Sequence, residues 1–342
     1  MTAARDTDLL KEWTAEQLRQ ASLAVFTDDA ANWLHDTPGP GPATAIDPES
    51  GAELHREQVD ELDFKGLHTV GGCDISFRTS AGDEGVAVLS VLSFPELQVL
   101  TTVSRVVDLS ETPYVHSYLS FRESDIYASL LDELQSREPD GRLPQVLFVD
   151  GNGRWHPRQA GSAVAVGVKT GLPTIGVAKE FHPLRSTRVQ PSDASSTRPM
   201  VAGMLHLPAD YLASQKSMRR ACQSVLRQHG DWLTLPAPVQ AQQHPIGPDD
   251  PPHFERWGAA VLSSSVRGAL NPVFVSSGHR LSLRTCVRLT LACTRGNGKI
   301  PEPIRCADLF GGFGERSLGL QAVFERSSRL TLPQSATQVD KK

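Results

Sequence analysis

The stretch "QVLFVDGNG", residues 145–153, decides the fold. Val146 to Val149 are uninterrupted apolar residues with no polar face, so this short strand must be covered on both sides. Asp150 ends it, and two glycines then bracket an asparagine. Upstream the pattern differs. "HTVGGCDISF" (68–77), "VAVLSVLSF" (86–94) and "LQVLTTVSRVV" (97–107) are strands joined by the "SAGDEG" and "PE" turns, which predicts an antiparallel meander. "YLSFRESDIYASLLDELQSR" (118–137) follows as a helix with Ile126, Leu130, Leu131 and Leu134 on one face. Downstream, "GSAVAVGVKTG" (161–171) reads as a small-residue helix and "PTIGVAK" (173–179) as a second buried strand beside the first. Three antiparallel strands followed by alternating helix and strand make an α/β fold: a mixed sheet with helices on both faces.

Further out, "TDLLKEWTAEQLRQASLAVF" (7–26) is helical, with Thr7 or Asp8 as N-cap and Leu9, Leu10, Trp13 and Leu18 near helical spacing. "HDTPGPGPATAIDPESGAE" (35–53) reads as loop or linker. Between 185 and 256, "STRVQPSDASSTRP" and "PAPVQAQQHPIGPDDPPH" are Pro/Ser/Gln-rich and read as coreless. They flank "YLASQKSMRRACQSVLRQHG" (211–230), a basic helix that is either solvated or touches nucleic acid. "NPVFVSSGHRLSLRTCVRLTLACTR" (271–295) restores strand, turn and helix. The expected organisation is one domain over 1–325, polar inserts at about 37–60 and 185–256, and a disordered tail over 326–342.

A formal charge of -5 over 342 residues argues against wholesale coating of nucleic acid but allows a local basic groove. The cysteines at 73, 222, 286, 293 and 306 are odd in number and form no C-x-x-C pair. Buried, reduced thiols are expected, which suits the cytoplasm or nucleus. A polar, acidic N-terminus predicts no signal peptide, and no apolar run is long enough for a bilayer, so no membrane partner is expected. A monomer is expected.

Asp74 lies within an apolar strand and Asp150 ends another; acids are rare inside sheets unless paired or metal-bound. A helix cap or an arginine partner is the blander account of either one. Glu123 opens the intervening helix, where a first-turn glutamate also favours the helix dipole. Together the three form a carboxylate set that suits Mg²⁺, with Mn²⁺ as substitute, and no Cys/His cluster has zinc spacing. Lys179, ending "TIGVAK", would offset these acids or hold a phosphate, or merely snorkel. His279 opens the helix after "SSG" as a cap, or serves as a metal-proximal acid/base. Asp308 reads as a turn residue.

"VGGCDISF", "SFPELQV", "TPYVHSYLSFRE", "LPQVLFVDGNG", "HPRQAG", "GLPTIGVAK", "NPVFVSSGHRLSL" and "IPEPIRCAD" occur in this order and resemble the endonuclease V family of eukaryotic type. The resemblance covers roughly 64–181 and 271–308, plus the W-x-x-E-Q of Trp13–Gln17. It implies a ribonuclease H-like fold and a Mg²⁺-dependent endonuclease for inosine-containing nucleic acid. Such an enzyme cuts the second phosphodiester 3′ to the inosine, leaving 5′-phosphate and 3′-hydroxyl. Asp74, Glu123 and Asp150 fall on the family's metal-binding carboxylates, and Lys179 and His279 on its active-site lysine and histidine; Asp308 lies in a family motif. Gly151 and Gly161 match positions where backbone approaches the extruded base. Pro113, Tyr114 and Val115 correspond to a strand-separating wedge, and His156 and Arg158 to phosphate or substrate contacts. The family often has glycine where Ser117 stands, and proline or serine in place of His116. Single-stranded RNA is the expected substrate, with deoxyinosine DNA second. A DNA-repair enzyme for deaminated adenine, and a catalytically silent inosine-RNA-binding protein, are the alternatives.

Overall fold

The computed structural model describes residues 2–28, 45–46, 53–62, 64–77, 83–138, 143–182, 184, 222–223, 225–237, 255–266, 271–296 and 298–316. The predicted meander is formed by β3 (Thr69–Phe77), β4 (Glu84–Ser93) and β5 (Val99–Asp108), after the short strands β1 (Ala45–Ile46) and β2 (Glu53–Arg56). Then come α2 (Ser120–Arg137), preceded at the N-terminus by α1 (Thr2–Leu23), and β6 (Val146–Asp150), α3 (Ser162–Thr170) and β7 (Thr174–Ala178). The chain continues with β8 (Asp231–Pro236), β9 (Arg256–Val261), β10 (Val273–His279), α4 (Leu283–Ala292) and α5 (Glu302–Arg316). Among the described residues the strands make one sheet in the order β1-β2-β8-β9-β10-β7-β6-β3-β4-β5.

The apolar run at 146–149 does what its composition requires. Val146 and Phe148 join a core with Ile175, Val177, Leu289 of α4 and Ile304 of α5. Leu147 and Val149 face the opposite side, against Tyr127, Leu130 and Leu134 of α2 and Ala163 and Val166 of α3. Period-two alternation thus feeds two cores, one on each face of the sheet. A third lies toward β8 and β9, around Trp155, Phe181, Leu233, Leu235 and Trp257.

Register places the acids. β6 runs parallel to both β3 and β7, with Cys73 opposite Val149 and Asp150 opposite Val177. Asp74, three residues before the end of β3, therefore lies beside Asp150 and Lys179 at the C-terminal ends of β6 and β7. At Gly72, one turn of pleat below Asp74, a Cβ would lie 2.1 Å from the carbonyl carbon of Pro303. Only glycine lets the start of α5 approach β3 this closely.

Four expectations change. Helix α1 begins at Thr2, ahead of Thr7 and Asp8, and it buries Gln17 and Gln20 while Leu18 is 55% exposed. The linker at 35–53 and the insert at 37–60 contain β1 and β2, and the insert at 185–256 contains β8; all three extend the sheet. "DWLTLP" sends Trp232 to one core and Leu233 and Leu235 to another, a short strand hidden by its Pro-rich neighbours. Asp308 sits inside α5, not in a turn, and His279 ends a strand instead of opening a helix. Most of the basic stretch 211–230, including Arg219 and Arg220, and the tail 326–342 lie outside the described residues. All five cysteines are free and buried, and no helix among the described residues is long and apolar enough to cross a membrane.

Candidate active site

Asp74 and Asp150 reach hydrogen-bonding distance of each other at the strand ends, and burial first, then Asp150, pushes the Asp74 carboxyl up to about 7. Glu123 enters from the first turn of α2. Its burial pushes it up to about 8 against the Ser162 hydroxyl, which donates to Oε2 at 3.1 Å; the charges of Asp150 and Asp74 raise it further. Lys179 Nζ lies 2.7 Å from Asp150 Oδ2. Burial alone would depress this ammonium, but Asp150, and then Asp74 and Asp308, hold it above its ordinary value. Asp308 thus shares the field of the cluster from α5 while remaining exposed.

One lysine does not neutralise this many acids. Raised carboxylates in a low-dielectric site mark a missing positive charge, and all of the donors are hard oxygens, which fits Mg²⁺ or Mn²⁺. Asp74, Glu123 and Asp150 are the residues that would hold the ion. Among the described residues no three acid, histidine or cysteine side chains close into a ready ligand cage; the three acids share a field, with Asp150 drawn to Lys179.

Beside this cluster lies a recess of about 140 Å³ lined by Gly151, Asn152, Gly161, Ser162, Ser120 and, at its mouth, Tyr114 and His116. A cavity of about 150 Å³ accommodates a benzene-sized ring, so the recess has room for one six-membered ring. Gly151 has φ +143, a conformation that L side chains rarely adopt, and a Cβ would point toward Ser162. At Gly161 a Cβ would sit 2.2 Å from the carbonyl oxygen of Asn152. Both glycines keep backbone at the wall. A larger recess of about 460 Å³, along α2 and α3, is lined by none of the three carboxylates and by no aromatic ring.

Pro113, Tyr114 and Val115 lie on the loop between β5 and α2, with Tyr114 66% exposed. A turn closes this loop, Tyr118 N–H donating to Val115 O at 2.9 Å, and Ser117 occupies its third position with φ +65. That position favours glycine, which accounts physically for the glycine common in the motif.

His156 and Arg158 brace this loop from beneath. His156 is buried, and burial, followed by the charge of Arg158, pushes its imidazole down to about 3. Its Nδ1 accepts from the Arg158 and Ala160 amides, so Nε2 carries the proton and donates to Ser117 O at 2.9 Å. Arg158 donates to the same carbonyl at 2.8 Å and lies over the Tyr118 ring. Neither side chain is posed as an open phosphate contact. His279 is not brought to the carboxylates: it pairs with Thr174, at the opposite end of β7 from Lys179. At about 3.3 Å per residue, five residues separate the two ends by roughly 16 Å. There its Nδ1 accepts from Val25 N at 3.2 Å, tying down the exit of α1. Sequence reasoning missed Gln17, Asn152, Ser162 and His182 as pocket residues. Gln17 and Asn152 carried a signal, their places in W-x-x-E-Q and in LPQVLFVDGNG.

A model of the endonuclease V family matches residues 52–309. Human endonuclease V is 35% identical over 249 residues, covering 72% of this chain and 71% of the human protein. The mouse protein is 36% identical over 249 residues, 72% of this chain and 59% of its own length. The crystal structure of the catalytic domain of human endonuclease V matches with a TM-score of 0.64 at 33% identity, over 92% of this chain and 98% of that one. A likeness of fold extends to Ciona intestinalis endonuclease V, solved with a 23mer DNA containing an inosine followed by a ribo-adenosine (TM-score 0.61, 24% identity, 91% of this chain and 98% of that one). A strand-end carboxylate cluster on a ribonuclease H-like sheet, the ordered motifs and these similarities agree: the chain belongs to the endonuclease V family, nucleases that act on phosphodiester bonds.

Proposed function

We propose that this protein is a metal-dependent endonuclease that recognises inosine, foremost in single-stranded RNA and secondly as deoxyinosine in DNA. It hydrolyses the second phosphodiester bond 3′ to the inosine, acting as a monomer in the cytoplasm or nucleus. The observation that carries the reading is the recess, with room for a six-membered ring, whose Gly151 wall is continuous with Asp150. Family membership supplies the lesion preference, and the inosine-bearing DNA of the Ciona complex is of the same chemistry.

In this reading the hypoxanthine ring enters the recess and is read by its edge, the 6-oxo group being its difference from adenine. Tyr114 stacks in the space the base leaves. Asp74, Glu123 and Asp150 would hold a Mg²⁺ ion, which would supply Lewis acidity for the attacking water and the leaving oxygen. Lys179 holds the scissile phosphate beside Asp150. Water adds to phosphorus and the bond to the 3′ oxygen breaks, giving 5′-phosphate and 3′-hydroxyl ends. The test is a panel of matched inosine and adenosine oligonucleotides, in RNA and DNA, with product ends mapped. Inosine-dependent cuts one nucleotide beyond the 3′ neighbour bond are expected. Equal cutting of adenosine strands would refute the reading.

A further inference from the structure

Helix α1 precedes the region matched by the family model, which starts at residue 52, yet it reaches the base recess. Its one fully buried side chain there is polar: Gln17 is 0% exposed and lines the pocket. The carboxamide of Gln17 touches both walls. Nε2 donates to Ser117 O at 3.1 Å and lies 3.5 Å from Ser120 Oγ, on the wedge side; it also donates to Ala160 O at 3.3 Å, next to Gly161 on the floor. Oε1 accepts from Arg158 Nε. The rest of α1 is fastened to the same loop and to the start of α2, with Thr14 Oγ1 2.7 Å from the Tyr118 hydroxyl and Trp13 stacked on Phe121 at 4.7 Å.

We propose that Gln17 is a positioning residue that fixes the width of the base pocket and thereby its selectivity for the 6-oxopurine. This deepens the inosine reading above and rests on it. A buried amide that bonds two opposing walls holds them at one spacing, because either wall can shift only by leaving buried carbonyls or amide hydrogens unpaired. Ser117 O is the shared point, taking donors from Gln17, His156 and Arg158. The partner is therefore the Ser117 backbone and not its side chain. In this account α1 is part of the site, and His279 serves it by holding Val25 behind the helix.

The test uses the full chain. Gln17→Met preserves length and volume but removes both donor and acceptor. Single-turnover cleavage of matched inosine and adenosine RNA is measured over a range of enzyme concentrations, beside Tm. Gln17→Met is expected to raise the half-saturating concentration for inosine RNA by about tenfold, because the free pocket then holds its binding-competent width only about a tenth of the time. The saturated rate should stay within about twofold, since the carboxylates are untouched. The inosine-to-adenosine ratio should fall. Ser117→Gly keeps the carbonyl and relieves φ +65, so it should raise Tm and retain full selectivity. Leu18→Ala, on the exposed side of α1, controls for helix substitution and should change nothing. Unchanged affinity and selectivity in Gln17→Met, or loss of selectivity in Ser117→Gly, would overturn the proposal. A Gln17→Met protein that merely unfolds, with Ser117→Gly selective, leaves the decision to Gln17→Glu. This variant keeps the Arg158 contact but faces two carbonyls with an acceptor, and selectivity intact there also overturns it. If the parent itself fails to discriminate inosine, the proposed function falls and takes this inference with it.

Discussion

Tyr114 supplies no acid, base or ligand atom, yet it stands exposed at the mouth of the base recess. Its contribution must come from its ring. A stacked aromatic is worth roughly 1–3 kcal/mol per base, so Tyr114→Ala should weaken binding of inosine RNA by about one to two orders of magnitude. The saturated cleavage rate should persist, and Tyr114→Phe should match the parent. Enzyme-concentration series under single-turnover conditions separate the two; a variant that loses only the saturated rate would show that Tyr114 is no wedge. At this scale the acids were the legible part. Asp74 and Asp150 stand out because charge within an apolar strand demands compensation, and register then puts them side by side. His156, Arg158 and His279 were legible as members of motifs but not in their contacts. A histidine's motif does not say whether its ring faces a phosphate or the carbonyl of a loop 39 residues away.

Elements followed from periodicity where periodicity was long. The meander, α2, β6, α3 and β7 all form as the pattern of apolar residues requires. Short strands escaped where no apolar run marked them: β1 is two residues long, and β2 and β8 mix polar and apolar residues beside proline-rich flanks. By contrast β6 and β7, five residues each, are almost wholly apolar. The insert at 185–256 therefore divides into two parts with different expected fates. Residues 190–218 include no predicted site residue, and replacing them by a brief turn should leave inosine cleavage intact. β8 is structural: Leu233 is fully buried, and Leu233→Ala should cost roughly 2–5 kcal/mol of stability. Urea unfolding and cleavage assays on both variants check this division. A shortened protein that folds but cannot cut would give residues 190–218 a part in the reaction.

For the whole molecule, the fold brings the carboxylates of Asp74, Glu123 and Asp150, with Lys179, to one place beside the recess walled by Gly151 and Gly161. Glu123 and Ser162 begin α2 and α3 beside Asp150, Gly151 turns the chain away, and the two-faced core under β6 holds this arrangement fixed. The sheet explains why the acids are together; the acids explain why a cation is needed. That dependence is the central claim, and chelation tests it most directly. Single-turnover cleavage of an inosine-containing RNA is followed in Mg²⁺, in EDTA, and after Mg²⁺ is restored, for the parent and for Asp150→Asn. The parent should cut in Mg²⁺, stop in EDTA and recover fully, while Asp150→Asn binds the RNA without cutting in any condition. Undiminished turnover in EDTA, or an active Asp150→Asn protein, would contradict it.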